Sequence, residues 1–170
     1  MLTPAHIAAS YLLSQVPSVM KIPITSSEVA AIVLAGNILD LDFLFGTLLG
    51  KRGDDHHNFI THTPIFSFTA WMIGYILFSS YFSQLAWIMI LVSMLLHLVL
   101  DDIGYWFYKL GWQQISKYPQ INWLYPLKDF HKRIIPQSNN MALKEYLTKA
   151  RVNLIVETSL ITAALFVFLT

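Results

Sequence analysis

No cysteine occurs in the 170 residues, which excludes disulfides, zinc fingers and cysteine-based catalysis. Charge is scarce too. Asp, Glu, Lys and Arg make up 12% of the chain, about half of the roughly 25% usual in soluble globular domains. From Thr63 to Leu96, 34 consecutive residues include no Asp, Glu, Lys, Arg or His. No Gly-rich phosphate loop, internal repeat or low-complexity tract is present. A net charge of +1 gives no reason to expect a nucleic-acid partner. What is abundant is apolar: 55% hydrophobic residues and a mean hydropathy of +0.53. These values exclude a disordered chain and point to a small membrane protein with one domain over residues 1–170.

The uncharged run would be roughly 50 Å long as one helix, too long for a hydrocarbon core of about 30 Å. The polar break Ser79-Ser80-Tyr81-Phe82-Ser83-Gln84 divides it into a hairpin, Pro64–Phe78 and Leu85–Leu100. Thr63-Pro64 reads as a helix start, with Thr as N-cap and Pro at the first helical position. Asn153–Thr170 has one charge, Glu157, and is a third candidate span. Val29–Gly50 is a fourth, with Asp40 and Asp42 at its middle, where carboxylates must face protein, water or a metal. Pro4–Leu13 is too short to span and is expected to be an amphipathic or re-entrant helix. The expected fold is therefore all-α: an integral membrane helical bundle of three to four spans plus short amphipathic helices. Residues 1–102 carry the motifs, 103–152 form a loop with short helices, and 153–170 form the C-terminal span.

Eight of the eleven Lys/Arg lie between Lys109 and Arg151, two more are Lys51 and Arg52, and the hairpin tip has none. In a bacterial-type inner membrane the positive-inside rule turns Lys51–His62 and Asp101–Arg151 to the cytoplasm.

Four patches can carry chemistry: His6, "ILDLD" ending at Asp42, "DDHHNFITHT" from Asp54 to Thr63, and "HLVLDD" from His97 to Asp102. One of the last two patches enters the hairpin and the other leaves it, so hairpin geometry brings them to the same end. His97 and Asp101 are spaced i, i+4 and share a helix face, a platform for a divalent metal or a hydrogen bond that closes the helix end. His57 and His62 suit a loop running into the Thr63 cap, or are solvated at the membrane interface. His56 reads as a solvated neighbour, and Asp54 and Asp55 as partners of the site or solvated charges. Asp40 and Asp42 are i, i+2, and the Gly36-Asn37 break before them lets both turn toward one site. Otherwise one caps a helix and the other is solvated. His6, taken alone, is also readable as a structural histidine on an apolar helix. In "KDFHKR", Asp129 and His131 read as part of a solvated basic loop. Together the His and Asp donors suit Zn, Mn, Fe or Mg. Their number exceeds one tetrahedral zinc and fits two metals about 3.5–4 Å apart, an arrangement used on phosphoesters with an activated water as nucleophile.

At these patches the chain resembles the bacterial inner-membrane metal-dependent hydrolases, from about Thr3 to Asp102. That family shows "THxxxG", "PDxD", "HRGxTHS" and "HLxLD". Here "TPAHIAASYLL" carries His6. "LDLD" carries Asp40 and Asp42, with Leu39 in place of Pro. "HNFITHT" carries His57, Thr61, His62 and Thr63, with Asn58 where the family usually shows Arg, a side chain whose charge suits a phosphate and which Asn does not supply. "HLVLDD" carries His97 and Asp101. The order of ligands is also similar to that of zinc-dependent phospholipase C. The resemblance implies a metal-dependent hydrolase in the membrane.

The expectation is a phosphoesterase-like hydrolase at the lipid interface, acting on a phospholipid or lipid phosphate. One or two divalent ions, zinc by preference, are held by His6, Asp40, Asp42, His57, His62, His97 and Asp101. Thr61 hydrogen-bonds a ligand, and the aromatic, basic stretch Trp106–Arg133 meets membrane lipid. The alternatives are a non-enzymatic metal-binding sensor or transporter subunit, and a protein whose buried His and Asp only hydrogen-bond.

Overall fold

A computed structural model describes residues 2–41, 60–112, 119, 121–127 and 150–170. The described residues are helical with no strand. Among the described residues six α-helices run α1 (Thr3–Val19), α2 (Ser26–Ala35), α3 (Pro64–Phe78), α4 (Gln84–Asp101), α5 (Ile103–Lys109) and α6 (Arg151–Leu169). Short 3-10 turns at Ile38–Asp40, Ile60–His62 and Ser79–Tyr81 change the chain's direction between them.

The starts of these helices follow from local chemistry. Thr63 caps α3 by accepting from the Phe66 N–H at 3.3 Å, and Pro64 follows at the first position, where its missing N–H costs nothing. Thr25 and Glu28 form a capping box on α2: the Thr25 hydroxyl accepts from the Glu28 N–H, and the Glu28 carboxylate accepts from the Thr25 N–H. The other oxygen of Glu28 accepts from the N–H of Ser83, the N-cap of α4, at 2.8 Å. One buried carboxylate therefore satisfies two helix N-termini, where the backbone dipoles favour negative charge. Its pKa is held down at about 2 by the hydrogen bonds from Ser83 and Thr25.

Helix α4 is central, with α1, α2 and α3 all packed on it, and α1 also lies against α2 and α6. Helices α2 and α4 are parallel and in fixed register. The Ser93 hydroxyl donates to the Ile32 carbonyl at 2.9 Å, and one turn on His97 Nδ1 meets the Gly36 carbonyl at 2.8 Å. Gly36 permits this approach, since a Cβ there would lie 2.1 Å from Ser10 Oγ and 2.3 Å from Ser93 Oγ. Ile32, Trp87, Met89 and Ile90 pack on one side of this pinch, and Leu39, Met94, Leu98 and Ile121 on the other.

The distribution of side chains is that of a membrane protein. Ser10, Ser14, Ser67 and Ser93 are buried, whereas Ile65, Phe68, Ile73, Ile76 and Leu77 of α3 are exposed. In water this arrangement is reversed. In lipid, small residues at helix contacts bring backbones together, and large apolar ones face the acyl chains.

Two described helices are long and apolar enough to cross a bilayer, α4 and α6, fewer than the expected three to four. Helix α3 covers Pro64–Phe78 as expected, but 15 residues reach only about 22 Å. The proposed span Val29–Gly50 is not one helix: α2 ends at Ala35, and the chain turns at Gly36-Asn37 into the Ile38–Asp40 turn. Helix α1 is longer than Pro4–Leu13 and continues through Pro17 to Val19.

Two outcomes follow for stability. Gly36→Ala is expected to lower it by about 1–3 kcal/mol, because the added methyl is forced into the buried Ser10 and Ser93 hydroxyls. A thermal melt in detergent reads the loss, and Ser10→Gly in the same chain restores part of it. Glu28→Gln is expected to destabilise by about 1–3 kcal/mol at pH 7. The folded pKa of Glu28 lies below its unfolded value of 4.5. Its contribution is thus complete above about pH 4.5, and the gap between wild type and variant closes as pH falls toward 2.

Candidate metal centre

Two helices and two short turns converge at one end of the bundle. His6 stands on the second turn of α1, Asp40 ends the Ile38–Asp40 turn, and His62 ends the turn before the Thr63 cap. His97 and Asp101 lie one turn apart near the end of α4. His6, His62, His97 and Asp101 are buried, and only the Asp40 side chain keeps appreciable exposure, at 21%.

The distances describe a shared centre. His6 Nε2 is 3.0 Å from Asp101 Oδ1, and His97 Nε2 is 3.2 Å from Asp101 Oδ2 and 3.4 Å from Asp40 Oδ1. His62 Nε2 is 3.8 Å from both Asp40 Oδ1 and Asp101 Oδ2. The His6 and His97 rings stack at 4.0 Å between centroids. Two sets of three residues, His6–Asp40–His97 and His62–His97–Asp101, each bring their donor atoms within 4.8 Å of one another. Ligands about 2.0–2.1 Å from a tetrahedral zinc are about 3.3 Å apart, which is the spacing of most of these pairs.

The tautomer of His97 sharpens the reading. The Gly36 carbonyl can only accept, so Nδ1 of His97 donates to it and carries the proton. In a neutral ring Nε2 then presents a lone pair to the oxygens of two carboxylates. His97 Nε2 and both ring nitrogens of His6 make no hydrogen bond of good geometry. Lone pairs facing one another in a buried pocket require a cation between them, either a proton or a metal ion. Two carboxylates and three neutral imidazoles sum to a charge of −2, which one divalent ion balances. The donor set therefore fits a divalent metal.

Outside the spanning helices, burial is the main influence on both titrating members. Burial pushes His6 below 6.5, with the Asp101 carboxylate only partly offsetting it. Burial alone would raise Asp40, but with a proton on Nε2 the His62 and His97 rings outweigh it and hold the carboxyl well below the usual range, as a cation in the same place would. A neutral imidazole and an ionised carboxylate are the forms that ligate metals.

Five of the seven expected ligands thus come together: His6, Asp40, His62, His97 and Asp101. Asp42 and His57 lie outside the described residues, as do Asp54, Asp55, His56, Asn58, Lys51, Arg52, Asp129 and His131. Three residues have supporting roles that the sequence analysis did not assign. The Gly36 carbonyl orients His97. Glu157 of α6 is buried and accepts from the Leu2 N–H at 2.8 Å, holding the start of α1 one turn before His6. Asp102, also buried, accepts from the Ile121 N–H at 3.2 Å and from the Trp123 indole, which folds that segment over the end of α4. The doublet Asp101-Asp102 was the one available sign, with one carboxylate facing the centre and the next anchoring its cover.

A family model described as YdjM inner membrane protein matches residues 1–170, the whole chain. Comparison with curated proteins and with solved structures gives no match.

The geometry has a direct test. Elemental analysis of the protein purified without chelator is expected to find at least one divalent metal per chain, and His62→Ala to lower its affinity by about tenfold or more. Absence of metal from the wild type would show that protons alone fill the centre.

Proposed function

The chain belongs to the YdjM inner membrane protein family, and on that premise we propose that it is a membrane-bound metal-dependent hydrolase acting on a phosphoester at the lipid interface. The observation that carries this reading is the His97 ring, fixed through Nδ1 and aimed through Nε2 at Asp40 and Asp101. His6, His62, His97, Asp40 and Asp101 would hold the ion, with zinc favoured by the nitrogen and oxygen donors. Such an ion, when bound, supplies Lewis acidity and lowers the pKa of coordinated water toward about 7.

The chain's own residues supply the rest. The Gly36 carbonyl holds one orientation of His97, and the buried walls at His6, His62 and Asp101 exclude bulk water. Asp40, the most exposed donor, marks the side from which a substrate reaches the centre. Its second oxygen accepts from the Thr3 hydroxyl at 3.4 Å, which steadies the carboxylate. The neighbouring end of α4 supports a substrate drawn from the lipid interface. The density of Lys and Arg after Asp101 supports a cytoplasmic side for this end under the positive-inside rule. Donors gathered at one end of the bundle favour surface chemistry over a transport path, along which ionisable groups would be spread across the bilayer.

Phosphatidate and phosphatidylglycerol in mixed micelles are the substrates to assay, by phosphate or headgroup release. Activity is expected to disappear with a chelator, to return with Zn or Mn, and to fall on the order of 100-fold or more in His97→Ala. Metal bound with no turnover of any phosphoester would favour the sensor or transporter subunit instead.

A further inference from the structure

The bilayer-crossing helix α4 ends at Asp101, and two residues later α5 begins. Its sequence, Ile-Gly-Tyr-Trp-Phe-Tyr-Lys, has four consecutive aromatics. At seven residues it is too short to be stable by itself and takes its stability from what it touches. On one side it packs against α4 and α6, where Gly104 lies close enough to Asn153 that a Cβ would be 3.2 Å from Asn153 Oδ1. Among the described residues the other side is apolar and exposed: Trp106 is 46% exposed, Leu110 73% and Trp112 55%.

The end of the helix is built to enlarge that surface. Gly111 takes a left-handed conformation, φ +86°, and the Trp112 N–H returns to the Phe107 carbonyl at 3.0 Å. This is a helix stop that needs glycine. It folds the Trp112 ring onto Phe107 at 5.5 Å between centroids. Lys109 completes the surface, with its ammonium 4.9 Å from the Tyr105 ring and 5.7 Å from the Trp106 ring. The cation is thus steadied over aromatic faces.

We propose that α5 and its terminal turn, Tyr105 to Trp112, are a docking surface for anionic phospholipid headgroups beside the metal centre. Tyr and Trp bury their rings at the headgroup boundary, and a steadied lysine among them adds preference for a negatively charged lipid. Continuity with α4 sets the occupant, because residues that begin two positions after the end of a bilayer-crossing helix lie at the headgroup boundary. The proposal deepens the hydrolase reading and rests on it for the link from docked lipid to chemistry.

Tryptophan quenching by brominated lipids tests it. The full chain is reconstituted in phosphatidylcholine vesicles containing a minor fraction of phosphatidylglycerol, with bromine on the acyl chains of one lipid or the other. The signal of Trp106 and Trp112 is the difference between wild type and the Trp106→Phe/Trp112→Phe variant. Brominated phosphatidylglycerol is expected to quench it about fivefold more per mole than brominated phosphatidylcholine. Lys109→Gln is expected to bring the ratio close to one. Equal quenching by both lipids in the wild type overturns the proposal. So does quenching by neither, the result expected where a protein partner covers these rings. Metal content is read on the same samples. Bound metal without a lipid preference removes the docking surface and leaves the hydrolase reading standing. A lipid preference without metal does the reverse.

Discussion

The constraint on which the site depends is the contact of one imidazole with one backbone carbonyl. His97 must donate to Gly36 for its other nitrogen to face Asp40 and Asp101, and Gly36 must lack a side chain for α2 to come that near α4. Packing and chemistry are therefore a single problem at this position. The three-helix pinch at Ser10, Gly36 and Ser93 fixes a ring that in turn fixes the demand for a cation. A buried charge cluster of this kind costs too much to persist uncompensated, so its geometry is itself a statement about what must occupy it.

The bundle resolves a second tension in the same economical way. Lipid gives no hydrophobic drive for helices to associate, so contact must come from close packing and hydrogen bonds. The buried serines, the Ser93–Ile32 bond and the Trp71 indole donating to the Trp87 carbonyl at 2.7 Å supply both. The lone acid of α6, Glu157, is spent on the exposed start of α1 rather than left in the bilayer. Helix α1 carries His6, so an anchor in the last helix holds a ligand in the first.

Much of this was legible in the chain itself. The uncharged run and its Ser-rich break gave the α3–α4 hairpin, and the hairpin alone put His62 near His97 and Asp101. The i, i+4 spacing of the last two and the turn at Gly36-Asn37 that brings Asp40 inward were also visible. The number of spans was not: Pro64–Phe78 is expected with its correct bounds but counted as a span, although 15 residues fall short of the bilayer, and the Gly36-Asn37 break ends α2 after ten residues where a longer helix is expected to run on. The supporting contacts were hidden for a different reason. Gly36 with His97, Glu28 with Ser83 and Leu2 with Glu157 are 61, 55 and 155 residues apart, and such pairings leave no periodic trace.

The double cap at Glu28 has a mechanical consequence. It ties the beginnings of α2 and α4 together, while Gly36 and His97 tie their far portions, so the two parallel helices are pinned at both extremities. A pair fastened in this manner behaves as one rigid rod. Sliding by a helical turn, about 5.4 Å, would break both fastenings at once. Relative sliding of α2 and α4 is therefore opposed. The same stiffness suits a fixed coordination pocket, which must hold its donors to within a fraction of an ångström.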